Sequence, residues 1–155
     1  MFRVASIQYV LRDRALEIYI SGCLGINGEH CKNCHNPTLW DPKVGNDLEW
    51  AMEEIKTRFK VAKNMIESIR IYGGEPLEKP ILELTDFLFW LKGFEKDIWL
   101  FTRFEFEKVP KPILELVDYI KCGPYLEELS EPTEYYGVTL ATSNQKIYKK
   151  GKDYE

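Results

Sequence analysis

Three of the four cysteines in this 155-residue chain lie close together in the sequence, with a spacing that could bind a metal. Seven residues separate Cys23 from Cys31, and two separate Cys31 from Cys34. Cysteine thiolates are soft ligands, which suit zinc and iron–sulfur clusters. In a reducing compartment, cysteines grouped in this way bind metal more often than they form disulfides. The stretch 21–37, which contains all three, is therefore predicted to be a metal-binding loop.

The spacing of these cysteines does not decide between zinc and iron. A structural zinc site uses four protein ligands, and His30 or His35 could complete such a set. An iron–sulfur cluster held by only three cysteines would instead keep one iron open for a substrate or a cofactor. The spacing supports the two about equally, and cysteines that bind no metal are a weaker third alternative.

A second group of residues with chemical potential, Gly73-Gly74-Glu75-Pro76, directly follows a predicted strand. Glycines allow the backbone to approach a ligand closely, and a carboxylate beside them can bind or orient a cation. The same residue types are also common in plain strand-to-helix turns. The fourth cysteine, Cys122, follows the others after about 90 residues and is interpreted as a small buried core residue.

Length and composition predict one domain, residues 1–155, with a single core that needs no disulfides. Hydrophobic residues make up 45% of the chain and charged residues 30%, as in ordinary globular proteins. The net charge of −4 argues against nucleic-acid binding through bulk electrostatics. No apolar run reaches the roughly 18–20 residues of a membrane span, and the N-terminal stretch lacks the apolar region of a signal peptide. We therefore expect a cytoplasmic protein without a nucleic-acid or membrane partner.

The elements that must position these residues alternate between strands and helices. Apolar and β-branched runs predict strands at 2–11, 15–20, 68–72, 97–101 and 117–120. Such alternation is typical of βαβ units with a parallel sheet, in which ligands bind at the carboxyl ends of the strands. The cysteine loop, the Gly-Gly-Glu-Pro turn and Thr102 all follow strand ends, so we expect them to meet at one edge of the sheet.

The helices predicted between these strands have recognisable ends. A helix over 47–63 is predicted with Asn46 as its N-cap and Glu49 completing a capping box. A second helix is predicted to begin at Pro80 and to end near Gly93, and a short one to begin at Pro112. The end of the chain is predicted to contain a loop through Glu131-Pro132 and a final motif at 143–148.

Taken together, the cysteine triad and the Gly-Gly-Glu-Pro motif resemble those of the radical S-adenosylmethionine enzymes. That superfamily has a cysteine triad after the first barrel strand and a Gly-Gly-Glu-Pro-type motif after the second. Within it, the chain looks most similar to the activating proteins of anaerobic (class III) ribonucleotide reductase. The stretches that carry this resemblance extend over nearly the whole chain, at 34–41, 73–76, 98–102, 117–125 and 143–145.

The resemblance implies an α/β fold, namely a single-domain partial β/α barrel with a mainly parallel sheet. It implies that a 4Fe-4S cluster with one open iron is held by Cys23, Cys31 and Cys34. It assigns the amino group of S-adenosylmethionine to Gly73, Gly74 and Glu75. It places the adenine along the backbone of Asn33, Cys34 and His35. No side chain is expected to act as a separate catalytic group.

The implied reaction is the reductive cleavage of S-adenosylmethionine to methionine and a 5′-deoxyadenosyl radical. That radical would take a Cα hydrogen from a glycine of the partner, the large subunit of anaerobic ribonucleoside-triphosphate reductase. A low-potential electron donor would reduce the cluster. The alternatives are an activase of another glycyl-radical enzyme, a radical enzyme that modifies a small molecule, and a zinc-binding module without catalysis.

Two features depart from the family pattern. The family separates its first two cysteines by three residues rather than seven, and we predict that the extra residues within 24–30 form a tolerated loop insertion without a ligand. The family also has glycine where this chain has Arg103. We interpret Arg103 as a solvated charge, with a contact to a carboxylate of S-adenosylmethionine or of the partner as the alternative.

Overall fold

The computed structural model describes residues 1–32 and 34–155, so the predicted role of Asn33 lies outside the described residues. Six strands form one sheet, in the order β1-β2-β3-β4-β5-β8, and two form a separate hairpin. The strands are β1 Val4–Val10, β2 Ala15–Ile20, β3 Ser68–Gly73, β4 Asp97–Phe101, β5 Tyr119–Cys122, β6 Ser130–Tyr135, β7 Val138–Thr142 and β8 Lys146–Lys149. The helices are α1 Leu48–Ala62, α2 Ile81–Lys92 and α3 Lys111–Leu116. No helix in this described part is both long and apolar enough to cross a membrane.

The central four strands of the sheet, β2 to β5, pair in parallel, while the edge strands β1 and β8 pair antiparallel to them. This arrangement confirms an α/β fold with a mostly parallel sheet. The strands of residues 1–32 and 34–155 form an open sheet rather than a closed barrel. The predicted strands 15–20 and 97–101 match β2 and β4 in both bounds.

The prediction of a loop through Glu131-Pro132 was wrong, because these residues lie in β6, and the chain after β5 forms β6, β7 and β8. β6 carries Glu131 and Pro132 and is largely exposed, so it lacks the apolar alternation that identifies a strand. A two-residue turn, Tyr136-Gly137, joins β6 to β7 with φ of 51° and 81°. Two positive φ angles are what a type I′ hairpin turn requires.

The N-cap predicted for the first helix is also corrected. Asp47, not Asn46, caps α1, since its Oδ1 accepts a hydrogen bond from the N–H of Trp50 at 2.8 Å. Asn46 instead exchanges backbone hydrogen bonds of 2.9 Å with Val4, which attaches the start of α1 to the edge strand β1.

The apolar sides of the helices pack on one face of the sheet. Alternate strand residues point to that face and are fully buried with the helices in one large core, among them Ile18, Ile71, Leu100 and Ile120. The residues between them point to the other face and are mostly aromatic or charged. The β6–β7 hairpin covers part of that second face, where Leu140 packs with Trp99 and Ile147. The core cluster on this second face contains no helix residue of the described chain, so we call it the open face, although Glu17 and Arg70 on it are buried.

Candidate functional site

A cleft of about 340 Å³ lies at the carboxyl ends of the parallel strands. The residues bordering it come from the cysteine loop after β2, the turn after β3, the end of β4 and the β6–β7 hairpin. They include Cys23, Cys31, Cys34, His35, Gly73, Gly74, Glu75 and Thr102. The expectation that these segments meet at one sheet edge is therefore confirmed.

The cysteine loop begins and ends against a short 3₁₀ helix, Pro37–Trp40. The N–H of Gly22 donates to the carbonyl of Leu39 at 2.7 Å, and the N–H of Cys23 donates to that of Trp40 at 3.2 Å. All three loop cysteines are free and half-buried. Within the described ranges, no three His, Cys, Asp or Glu side chains are grouped closely enough to hold a metal ion by themselves.

The extra residues between the first two cysteines form a small hairpin turn of their own. Ile26 and Glu29 exchange two backbone hydrogen bonds, of 2.8 and 3.0 Å. The residues between them, Asn27 and Gly28, have φ of 54° and 81°, as a type I′ turn requires. Asn-Gly is a strong sequence signal for this turn. Because the turn satisfies its own hydrogen bonds, the insertion needs little support from the rest of the molecule.

His30 supports the loop rather than pointing freely at the cleft. Its ring stacks on Trp40, with the ring centroids 3.9 Å apart. Its Nε2 lies 2.6 Å from the carbonyl oxygen of Cys23, so this nitrogen carries the hydrogen and donates it. The second loop histidine, His35, is exposed at the border of the cleft.

The Gly73-Gly74 pair packs directly against the cysteine loop. The N–H of Gly74 donates to the carbonyl of Ile20 at 3.0 Å, and that of Glu75 donates to the carbonyl of Gly22 at 2.7 Å. A Cβ atom on Gly74 would collide with the carbonyl groups of Gly22 and Leu39. The glycines are thus required for the close contact between the two motifs, which a plain strand-to-helix turn would not need.

The Glu75 carboxylate is almost completely buried, with 1% of the residue exposed. Oε2 accepts hydrogen bonds from the Thr102 hydroxyl at 2.6 Å and the Leu77 N–H at 2.9 Å, and Oε1 accepts one from the Arg103 N–H at 2.7 Å. Burial raises the pKa of Glu75, and these hydrogen bonds oppose that rise. Since each carboxylate oxygen can accept about two hydrogen bonds, Oε1 retains capacity for one more donor.

Arg103 is not a solvated charge, so that interpretation is corrected. Only 19% of its side chain is exposed, and its guanidinium forms an ion pair with Glu78. Glu78 in turn accepts the N–H of Leu24, at 2.9 Å to Oε1 and 3.2 Å to Oε2. Arg103 and Glu78 together therefore join the loop after β4 to the cysteine loop. Sequence reasoning missed Glu78, which carries no motif of its own.

Burial and the surrounding charges both affect the pKa of the Cys23 thiol. Burial raises its pKa, and the carboxylate of Glu78 adds to the rise. A hydrogen bond from the Gly25 backbone and the guanidinium of Arg103 both lower it. Because a metal binds the thiolate, the donors at Gly25 and Arg103 favour the form of Cys23 that ligation requires.

Three further residues border the cleft that sequence reasoning did not single out. Tyr72 and Phe101 stack with centroids 4.1 Å apart and supply an apolar wall. Lys121 donates to the carbonyls of Gly123 at 2.8 Å and Thr102 at 3.3 Å. Burial lowers the pKa of Lys121 to about 8. The alternation of side chains along β3, β4 and β5 could have placed all three on one face.

Cys122 is a buried residue of the helix-packed face, as the sequence predicted. It is 3% exposed, belongs to the main core, and burial raises its pKa to about 12. The motif at 143–145 connects two loops through its hydrogen bonds, and Gln145 also borders the cleft. Asn144 donates to the carbonyl of Pro124 at 2.8 Å, and buried Gln145 accepts from the N–H of Thr142 at 3.2 Å.

The chain is thus an α/β protein with an open, mostly parallel sheet and three free cysteines bordering a cleft at its carboxyl ends, an arrangement suited to a thiolate-bound cofactor. The family model described as a 4Fe-4S single cluster domain matches residues 14–148, and the chain belongs to this family. The family assignment favours an iron–sulfur cluster over the zinc alternative. No solved structure matches the chain.

Several relatives of this chain carry one name, "Anaerobic ribonucleoside-triphosphate reductase-activating protein". The protein from Enterobacteria phage T4 is 28% identical over 136 residues, which cover 84% of this chain and 81% of that protein. The Haemophilus influenzae protein is 27% identical over 139 residues, covering 85% of each chain. The Escherichia coli K12 protein is 24% identical over 140 residues, covering 84% of this chain and 85% of the other.

Proposed function

We propose that this protein is a radical S-adenosylmethionine activase that generates a glycyl radical on anaerobic ribonucleoside-triphosphate reductase. The observation that carries the proposal is that the cysteine loop and the Gly-Gly-Glu-Pro turn border one cleft of about 340 Å³ and contact each other through backbone atoms. The name shared by relatives that cover more than 80% of the chain supports the choice of partner.

The residues of the cleft fit a 4Fe-4S cluster. Cys23, Cys31 and Cys34 offer three free thiols to one space, and the buried Nε of Arg103 beside them has no partner among the described residues. We assign the three cysteines as the cluster ligands. When bound, the cluster supplies the electron that cleaves S-adenosylmethionine, and the radical so formed takes a hydrogen from the partner's glycine.

The remaining cleft residues would bind and orient S-adenosylmethionine. The free acceptor position of Glu75 Oε1 is suited to the amino group, while the backbone of Gly73 and Gly74 completes that side of the site. The stacked rings of Tyr72 and Phe101 would exclude water. The adenine would lie along the backbone of Cys34 and His35. In this proposal the open sheet serves as an incomplete barrel of the radical enzyme type, and residues 1–155 act as one domain.

The protein partner would approach over the cysteine loop. Leu24 is 73% exposed there, and Ile26 and Trp40 are also large exposed apolar side chains. Trp40 borders the cleft, and exposed apolar side chains beside a cleft are typical of a surface that binds a protein. The large subunit of the reductase would present its glycine at this mouth. A low-potential donor in the cytoplasm would supply the electrons. The second candidate function is activation of a different glycyl-radical enzyme.

Anaerobic reconstitution tests the proposal. The protein, supplied with iron and sulfide and then reduced, should give the electron paramagnetic resonance (EPR) signal of a reduced 4Fe-4S cluster, and S-adenosylmethionine should change that signal. With the reductase subunit present, methionine should be released and a glycyl-radical signal should grow. Uptake of zinc in preference to iron, or an EPR signal unchanged by S-adenosylmethionine, would contradict the proposal. A radical formed on a different glycyl-radical protein would favour the second candidate.

Glu75→Gln tests the cofactor site separately from the cluster. Removing the charge should weaken S-adenosylmethionine binding by about ten- to a hundredfold, because a charge-assisted hydrogen bond contributes about 1.5–3 kcal/mol. Equilibrium dialysis of the cluster-bearing protein measures this. Glu17→Gln is the matched control, since Glu17 is also buried and hydrogen-bonded on the open face but does not border the cleft. A folded Glu75→Gln protein that keeps the parent affinity would remove Glu75 from the site.

A further inference from the structure

Arg103 occupies a position where three parts of the candidate site meet. Its backbone N–H donates to Glu75 Oε1 at 2.7 Å, which attaches it to the Gly-Gly-Glu-Pro turn. Its guanidinium pairs with Glu78, whose carboxylate also accepts the N–H of Leu24 in the cysteine loop. Arg103 also borders the cleft together with Cys23, and its guanidinium lowers the pKa of the Cys23 thiol, against the rise that burial causes. The side chain is therefore fixed in position beside the first cysteine.

The donors of this guanidinium are not all used. One nitrogen of the planar fork is engaged by Glu78, and Nε is buried without a hydrogen-bond partner in the part of the chain that the structure describes. A buried N–H donor without an acceptor is costly, so native proteins rarely leave one unpaired. The guanidinium also lies over the ring of Phe104, with Cζ 4.8 Å from the ring centroid, but an aromatic face cannot replace a strong acceptor. This donor is suited to a sulfur acceptor at the Cys23 side of the cleft.

We propose that Arg103 is a positioning residue that donates a hydrogen bond to the Cys23 sulfur of the bound cluster and raises the cluster's reduction potential. The inference rests on the proposed function. Reduction adds one negative charge to the cluster, so a fixed positive charge and a hydrogen bond to a ligand sulfur stabilise the reduced form more than the oxidised form. Glu78 limits this effect by its own charge, while it holds the guanidinium in place.

Redox titration of the reconstituted protein, followed by EPR, tests the role of Arg103. Arg103→Met should lower the ratio of reduced to oxidised cluster about tenfold at a fixed solution potential, which is about 59 mV for a one-electron couple. Arg103→Lys should shift the ratio less and in the same direction, because it keeps the charge but loses the planar fork. Lys also keeps a partner for Glu78, so this variant remains informative if Arg103→Met does not fold.

Arg58→Met is the matched control, since Arg58 also pairs with a glutamate, Glu54, but lies on α1 away from the cleft. Its cluster should titrate as in the parent. Parent-like titration of both Arg103 variants, with full iron content, would overturn the inference. Weaker S-adenosylmethionine binding with an unchanged potential would also overturn it and assign Arg103 to a carboxylate of S-adenosylmethionine. A parent protein that takes up no iron would overturn the proposed function itself, which is a distinguishable result.

Discussion

The two faces of the sheet differ in what their side chains are used for. On the helix-packed face, Ile18, Ile71 and Leu100 are fully buried and contact other apolar side chains. On the open face, the neighbouring positions carry Tyr19, Tyr72 and other aromatic or charged residues, which stack in a row across the strands. Adjacent residues of one strand thus serve different purposes, because successive side chains point to opposite faces.

This difference indicates that stability and chemistry are largely separate in this molecule. The helix-packed face buries apolar surface, which is the main stabilising contribution to folding. The cleft at the open edge instead contains a buried carboxylate, two cationic side chains and three free thiols, which contribute little to stability without a ligand. Substitutions on the two faces should therefore change different measurements.

The cysteines give the largest expected contrast between the two regions. Cys23→Ala, Cys31→Ala or Cys34→Ala should each abolish cluster binding, since three ligands leave none to spare. Cys122→Ala, on the helix-packed face, should keep the cluster and lose only some stability. Iron content and the visible absorption spectrum after anaerobic reconstitution measure both effects. Iron lost from Cys122→Ala but kept by Cys23→Ala would reverse our assignment of the two regions.

Ile71 and Tyr72 are neighbours in β3 and test the separation within one strand. Ile71→Ala should lower the free energy of unfolding by about 2–5 kcal/mol, because it leaves a cavity in a fully buried core. Tyr72→Ala should cost less, since Tyr72 is only half-buried, but it should weaken S-adenosylmethionine binding by removing a wall of the cleft. Urea unfolding and equilibrium dialysis distinguish the two. Equal losses of stability would argue against the separation.

Lys121 is an exception to the separation of stability and chemistry, because this cleft residue is expected to affect the free energy of unfolding. Burial lowers its pKa from an ordinary value of 10.5 to about 8, so between these values the folded protein binds fewer protons than the unfolded chain. The free energy of unfolding of the cluster-free protein should therefore rise with pH across that window, by at most about 3 kcal/mol. Lys121→Met should remove this rise.

Urea unfolding at pH 7.5, 9 and 10.5 compares the parent with Lys121→Met. The difference between the two proteins isolates Lys121 from other groups that titrate in this range. Lys146→Met on the adjacent strand is the control, because Lys146 is exposed and should leave the parent's pH dependence unchanged. A parent whose pH dependence matches that of Lys121→Met would show that the ammonium is not desolvated in the folded protein.

Much of the fold could be predicted because local patterns agreed with the tertiary structure. β2 and β4 are rich in β-branched, aromatic and other apolar residues, and their bounds were predicted without error. β6 could not be recognised, since its exposed, polar residues are stabilised by pairing with β7 rather than by burial. The hairpin turn at Asn27-Gly28 has a clear sequence signal in its Asn-Gly pair. It was not predicted, because the stretch was interpreted only as a metal-binding loop.

The candidate site was predictable only where a motif carries its chemistry in adjacent residues. The cysteines and the Gly-Gly-Glu-Pro turn met that condition. Arg103 and Glu78 did not, because their role depends on an ion pair between residues that are 25 positions apart. Two of the three hydrogen bonds accepted by Glu75, from Thr102 and Arg103, likewise depend on the end of β4 reaching the turn after β3. Such contacts follow from topology, which residue types alone do not specify.

The histidines of the cysteine loop give the smallest expected effect and decide whether the unusual cysteine spacing adds a ligand. His30→Ala removes the stack on Trp40 and the hydrogen bond to the Cys23 carbonyl, so it should lower the free energy of unfolding by about 0.5–1.5 kcal/mol. Because its Nε2 is already engaged, the variant should keep the iron content and EPR spectrum of the parent. His35→Ala, in the same loop but exposed, should change neither stability nor spectrum. A changed spectrum in His30→Ala alone would identify His30 as a ligand recruited by the insertion, and a change in His35→Ala alone would place that ligand at the border of the cleft.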